Sequence, residues 1–188
     1  MANDSPFLTQ ELISQFEENS DLILGREEAA IVWAQLPVLE TYYLALEQCT
    51  ERRALSHAMV VGWHLLLRRP RGDVVAIIVN NDQSSGPVFE GIESGALTDA
   101  AFELIGTAVE SQGHTECLFN PRLLMIPGLS LRALWYHGEG TDHITPLAQG
   151  PALIETSVSV SGTAFEEQLL PIARDEMESH KQLTANIA

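Results

Sequence analysis

Residues 56–81 read SHAMVVGWHLLLRRPRGDVVAIIVNN, and the reading of this stretch decides the fold. Two apolar runs, 60–67 and 74–79, flank the charged segment Arg68-Arg69-Pro70-Arg71-Gly72-Asp73. The second run is short and β-branched, as a strand buried on both faces requires. Periodicity leaves the first run open to a buried helix, and the connector decides for a hairpin. Pro70 suits the second position of a turn, Gly72 can take a positive φ, and Asp73 can bond its own backbone. Gly62, inside the first run, predicts a bulge or a close approach of another backbone. The arginines Arg68, Arg69 and Arg71 at the turn are a candidate site for an anion or an acidic partner. The plainer alternative is a solvated hairpin tip.

Upstream, the pattern is helical. Leu8, Leu12 and Phe16 recur at helical spacing after the Ser5-Pro6 start. A second helix is expected over 26–35, with acids in its first turn and a buried stripe of Ala29, Val32 and Trp33. Pro37 then opens a third helix to residue 50, read from Leu39, Tyr42, Leu46 and Cys49.

Downstream, residues 80–95 read as a long irregular connection with a short edge strand at Val88-Phe89. A helix follows from Thr98 or Asp99 to 112, stopped by Gly113. Strands are expected at 115–119, 123–126, 129–137 and 143–147, with a turn or jog at Pro127-Gly128. Residues 153–160 alternate Ile154, Thr156, Val158 and Val160 against Glu155, Ser157 and Ser159, the pattern of a strand with one wet face. Thr163 and Glu166 have capping-box spacing for a last helix, in which Pro171 predicts a kink or a restart.

Together these elements make one α+β domain over residues 1–188. Its parts are a helical N-terminal third (5–50), a sheet-containing part (56–160) and a C-terminal helix (163–180). The sheet is expected to be mainly antiparallel, with about five strands packed by about five helices.

Composition narrows the function classes. The 188 residues carry a formal net charge of −16, from 26 acids against 10 bases. Such a surface repels phosphate backbones and anionic lipid, which argues against nucleic-acid and membrane partners and suits a basic protein partner. No apolar run reaches the ~18 residues of a spanning helix. The start lacks the basic and apolar regions of a signal peptide, so the cytoplasm is the expected compartment. Cys49 and Cys117 lack metal-ligand spacing and read as buried thiols of a reducing compartment.

The segment 135–143 gathers the most chemistry. Trp135, Tyr136, His137, Glu139, Asp142 and His143 bring imidazoles, carboxylates and aromatic rings around a loop with Gly138 and Gly140. Neutral imidazole and carboxylate are ligand types for zinc, and a strand-borne loop can present them. The spacing matches no metalloprotease motif, and His137 and His143 can point to different sides of the loop. His57 and His64 lie seven residues apart, which on a regular strand puts them on opposite faces.

Serine-nucleophile elbows and phosphate-binding glycine fingerprints are absent from the sequence. The sequence therefore leans away from an enzyme and implies no cofactor or metal. It points first to an acidic, non-enzymatic protein-binding factor of the adaptor, inhibitor or immunity type. Exposed edge strands near Ile144 and Val158 would pair with another protein or with a second copy as a homodimer. The alternatives are a metal-dependent hydrolase or small-molecule binder using the 136–143 loop, and a structural subunit of a larger assembly.

Overall fold

The computed structural model describes residues 9–24, 36–69, 71–111, 120–138, 141–147 and 154–185. The expected helix at 26–35 and strand at 115–119 lie outside these residues, as do Pro70, Cys117 and Glu139.

The described residues form four α-helices and one sheet of eight strands, an α+β architecture. In chain order these are α1 (Gln10–Glu18), α2 (Ser20–Leu24), β1 (Val38–Tyr43), β2 (Met59–Arg68), β3 (Val74–Asp82), β4 (Gly86–Ser94), α3 (Ala96–Ser111), β5 (Asn120–Ile126), β6 (Leu131–Gly138), β7 (Thr141–Pro146), β8 (Val160–Ser161) and α4 (Gly162–Ala185). The strand order is β4-β3-β2-β1-β5-β6-β7-β8. Chain contacts divide the molecule into two compact units, residues 1–40 with 61–111, and residues 41–60 with 112–188.

The first unit contains the expected hairpin. Strands β2 and β3 pair antiparallel from Gly62 opposite Asn80 to Arg68 opposite Val74. Gly62 is the close approach that its place in the run suggested. A Cβ built there would collide with the Val79 carbonyl oxygen, which no side chain tolerates. Leu65, Leu67, Val75, Ile77 and Val79 form the core of this unit with Leu12, Phe16 and Ile23 from α1 and α2. Strand β4 adds to β3 with a bulge opposite Ile78 and Val79. The connection expected to be irregular is thus mostly strand. Its turn is compact, because the Asp82 carboxylate accepts from Ser84 N, Ser84 Oγ and Ser85 N. Helix α1 guards β4: Gln15 Oε1 accepts from Phe89 N at 2.9 Å, and Phe16 meets Phe89 edge to face at 5.9 Å.

The second unit stacks β5, β6 and β7 in antiparallel register, with β8 pairing beyond β7. Helix α4 covers this meander through Phe165, Leu169, Ile172 and Ala173, which join Leu124, Ile126, Leu131, Ala133, Trp135 and Ile144 in its core. Pro171 lies inside α4, which continues through it as one helix, so of the expected kink or restart there is no restart. Burial of neighbours on its inner face outweighs the ~3 kcal/mol cost of an interior proline. Cys49 is buried in this core as a free thiol, and burial pushes its pKa up to about 12. It therefore stays protonated and inert at neutral pH.

Three further expectations fail for physical reasons. Residues 38–43 are strand β1, not helix: Leu39 and Thr41 are buried while the residues between them are only partly covered, a period of two. Apolar residues at helical spacing were present too, but the backbone is claimed by neighbours. Pro37 O accepts from Leu66 N and Leu44 N donates to Met125 O. The strand expected over 153–160 shrinks to Val160–Ser161. Ser157 turns the chain at φ 65°, its N–H bonds back to Pro146 O, and Val158 is left 43% exposed. Lastly, the sheet has eight strands where about five were expected; residues 38–43 were read as helix, and the edge strand expected at Val88-Phe89 extends over Gly86–Ser94.

Candidate functional site

The site is built on the β6–β7 hairpin of the second unit. Register sets His137 opposite Asp142 and Gly138 opposite Thr141. Cross-strand partners share a face, so Trp135, His137, Asp142 and Ile144 lie on one side of the hairpin. Tyr136 and His143, also opposite one another, take the other side. Only part of the sequence-level cluster is therefore brought together.

His137 Nδ1 lies 2.6 Å from Asp142 Oδ1, with the two side chains 47% and 29% exposed. A carboxylate can only accept, so Nδ1 donates to Asp142 and Nε2 is left as the ring's second nitrogen. Two contacts hold the pair. The His137 ring stands edge-on to Trp135 at 5.7 Å, and Trp135, 5% exposed, is fixed in turn by an edge contact with Tyr42 at 5.2 Å. The Arg122 guanidinium lies over both the Tyr42 and Trp135 rings, at 4.8 and 5.0 Å. On the other side, Gly162 opens α4 against Asp142: a Cβ there would come within 2.9 Å of Asp142 Cβ and 3.3 Å of Leu55 Cδ1. The absence of a side chain lets the first turn of a long helix sit beside the carboxylate, where the helix dipole favours negative charge.

The expected capping box is replaced by a different arrangement. Ser161 Oγ accepts from Ala164 N, and Glu166 reaches out of the helix to accept from Leu55 N at 2.9 Å. That bond ties α4 to the 3₁₀ turn Ala54–His57, which follows Arg53 in a left-handed conformation at φ 57°. Between this turn, the hairpin and the start of α4 lies a cleft of about 500 Å³. Trp135, His137, Asp142 and His143 line it, joined by Thr141, Arg53, Ser56, Ser161, Thr163 and Glu166.

Four of the six residues singled out in the 135–143 segment thus border one cleft. Tyr136 is not among its lining residues, and Glu139 is outside the described residues. The wall contributed by residues 53–56 and 161–166 had no signal in the sequence, because both segments lie far along the chain from the hairpin. Trp135 Nε1 is buried with no hydrogen-bond partner among the described residues. An unmatched buried donor costs ~1–3 kcal/mol. Among the described residues no group of three or more His, Cys, Asp or Glu side chains could hold a metal ion.

The arginines of the β2–β3 turn sit in the first unit and are engaged by it. Arg69 is 7% exposed; its Nε donates to Ile23 O at 2.7 Å and its Nη2 to Leu22 O at 3.0 Å, capping the end of α2. Arg71 binds the Asp73 carboxylate through two nitrogens, at 2.7 and 2.9 Å. That hydrogen bonding, aided by nearby Arg69, holds the Asp73 carboxyl below its ordinary range. Arg68 lies over the Phe102 ring at 4.8 Å and donates to Gly72 O. Asp73 O accepts from Arg69 N to close the turn, and Gly72 takes φ 101°.

No helix among the described residues is long and apolar enough to cross a membrane. Comparison of the chain with family models, with curated proteins and with solved structures gave no match.

Proposed function

We propose that the chain binds a small polar ligand in the cleft of its second unit. The observation that carries this reading is the His137–Asp142 pair, partly exposed and opening on that cleft. The volume lies within the ~300–1,000 Å³ typical of small-molecule sites. Its lining mixes an aromatic wall with hydroxyls, carboxylates and the Arg53 side chain, which suits a ligand with several hydrogen-bonding groups. Ligand-observed NMR against a library of polar metabolites tests it. Binders should lose affinity on His137→Ala and keep it on Arg71→Ala. Hits indifferent to His137→Ala, or no hits at all, would count against the cleft.

A second reading keeps the protein-binding factor. Tyr43 at the end of β1 and Met59 and Val60 at the start of β2 are exposed apolar side chains of the second unit, in strands adjacent in the sheet order. Exposed apolar clusters mark contact surfaces, either for a partner or for a second copy in a homodimer or larger assembly. The strong negative charge favours a basic partner over nucleic acid or membrane. The buried thiol of Cys49 suits a reducing compartment such as the cytoplasm. Sedimentation of the wild-type chain and a Met59→Glu variant tests this: a dimer that dissociates in the variant supports it, and a monomer in both removes self-association.

A further inference from the structure

Histidines paired with carboxylates differ in which ring nitrogen they commit. His57 meets Glu51 through Nε2 at 3.2 Å, and His180 meets Glu176 through Nε2 at 3.2 Å. Both pairs are local and exposed, on a turn and along a helix. His137 is wired the other way: Nδ1 is committed to Asp142 at 2.6 Å, by a carboxylate that the opposite strand places in register.

The direction matters chemically. A carboxylate accepting from Nδ1–H fixes the neutral tautomer in which Nε2 carries a lone pair, and it stabilises the imidazolium formed when Nε2 takes a proton. His137 also borders the cleft, in company with the hydroxyls of Ser56, Ser161 and Thr163. Gly162, at the start of α4, lies close beside Asp142.

We infer that His137 and Asp142 form a proton-accepting dyad that acts on a hydroxyl group held in the cleft. Asp142 holds Nδ1–H and Nε2 receives the hydroxyl proton. The O–H bond breaks, the proton passes to Nε2, and the electron pair stays on oxygen as a nucleophile. The ligand class this selects is one that presents an O–H to the imidazole, an alcohol or a ligand-bound water. The inference rests on the cleft being a binding site and adds the chemistry that His137 performs there.

The test reads the dyad without any ligand, so its failure is separate from failure of the ligand screen. Long-range ¹⁵N–¹H correlation spectra of the wild-type chain at about pH 8.5, well above the ordinary imidazole pKa of ~6.5, report which nitrogen carries the proton. The expected result is Nδ1–H for His137 and Nε2–H for His57 and His180. Diethyl pyrocarbonate, whose carbonyl carbon is attacked by the unprotonated nitrogen with loss of ethyl carbonate, then measures reactivity residue by residue in the mass spectrometer. His137 should react about 5-fold faster than His57 and His180, the equivalent of one stabilising hydrogen bond of ~1 kcal/mol, and Asp142→Asn should remove that advantage. An Nε2–H ring at His137, or labelling no faster than at His57 and His180, would overturn the dyad even if a ligand binds the cleft.

Discussion

The β2–β3 turn and the β6–β7 turn each gather charged side chains at the end of an antiparallel hairpin, and the molecule uses them differently. At the first, Arg69 is drawn inward to the carbonyls of Leu22 and Ile23, while Arg71 clasps Asp73. At the second, His137 and Asp142 bind one another at the border of a cleft, with one ring nitrogen left over. What packs on each hairpin makes the difference. The carbonyls of Leu22 and Ile23 in α2 accept from a cation. The start of α4 offers amide groups and a glycine, which tolerate a carboxylate without consuming the histidine beside it. A charged hairpin tip is therefore not in itself a site; the element docked on it decides.

Both units also depend on a glycine at a close contact, and substitution there separates them most sharply. Gly62→Ala should destabilise the chain by about 3 kcal/mol or more, because the obstructing atom is the Val79 carbonyl oxygen of a paired strand. Denaturant titration would measure it, and a change under ~1 kcal/mol would mean that β3 can move aside. Arg69→Ala comes next, at about 2–3 kcal/mol, since it strips a charged donor from buried carbonyls. A near-neutral result would equate this turn with an ordinary solvated tip.

Gly162→Ala should cost about 2 kcal/mol, since the new Cβ would come within 2.9 Å of Asp142 Cβ, an atom held by its own backbone. Its larger effect should be on the His137 resonances, as the carboxylate is displaced. His137→Ala should change stability by no more than about 0.5 kcal/mol, the level of a partly exposed surface position. Any cleft ligand should nonetheless weaken by about 10-fold, the loss of a hydrogen bond to an ionisable group.

The smallest effect is acid-linked. Asp73 has a folded pKa below the ordinary 3.8, chiefly through its hydrogen bond with Arg71. Its contribution is present above that ordinary value and is lost as pH falls through the lowered one. Asp73→Asn should therefore lower the thermal midpoint slightly at neutral pH and leave it unchanged at strongly acidic pH, so that the acid limb of the stability curve flattens.

Legibility in the sequence followed the range of the interactions. The central hairpin could be read because its β-branched run, turn residues and glycine are contiguous, and each signal agrees with the next. Residues 38–43 carried two compatible periods at once, and the choice between them lay with Leu66 and Met125, distant in the chain. Residues 153–160 alternate cleanly, but alternation says nothing about whether a partner strand continues alongside. The cleft divides the same way. His137 and Asp142 were visible as a polar cluster, while Arg53, Glu166 and Gly162 join them by tertiary contact alone. The arginines stood as a second candidate from sequence, because nothing local shows that α2 ends where Arg69 can reach it.

Gly62 has a consequence for how the chain finds its fold. At this position on β2 the opposing carbonyl comes so near that no larger residue fits. Sliding β2 along β3 by one step would put Val61 or Trp63 into that gap, and by two steps Val60 or His64. Each misalignment would meet a steric collision before the remaining ladder could form. The glycine thus serves as a proofreading notch, rejecting shifted pairings of two strands whose apolar runs would otherwise accept several alignments.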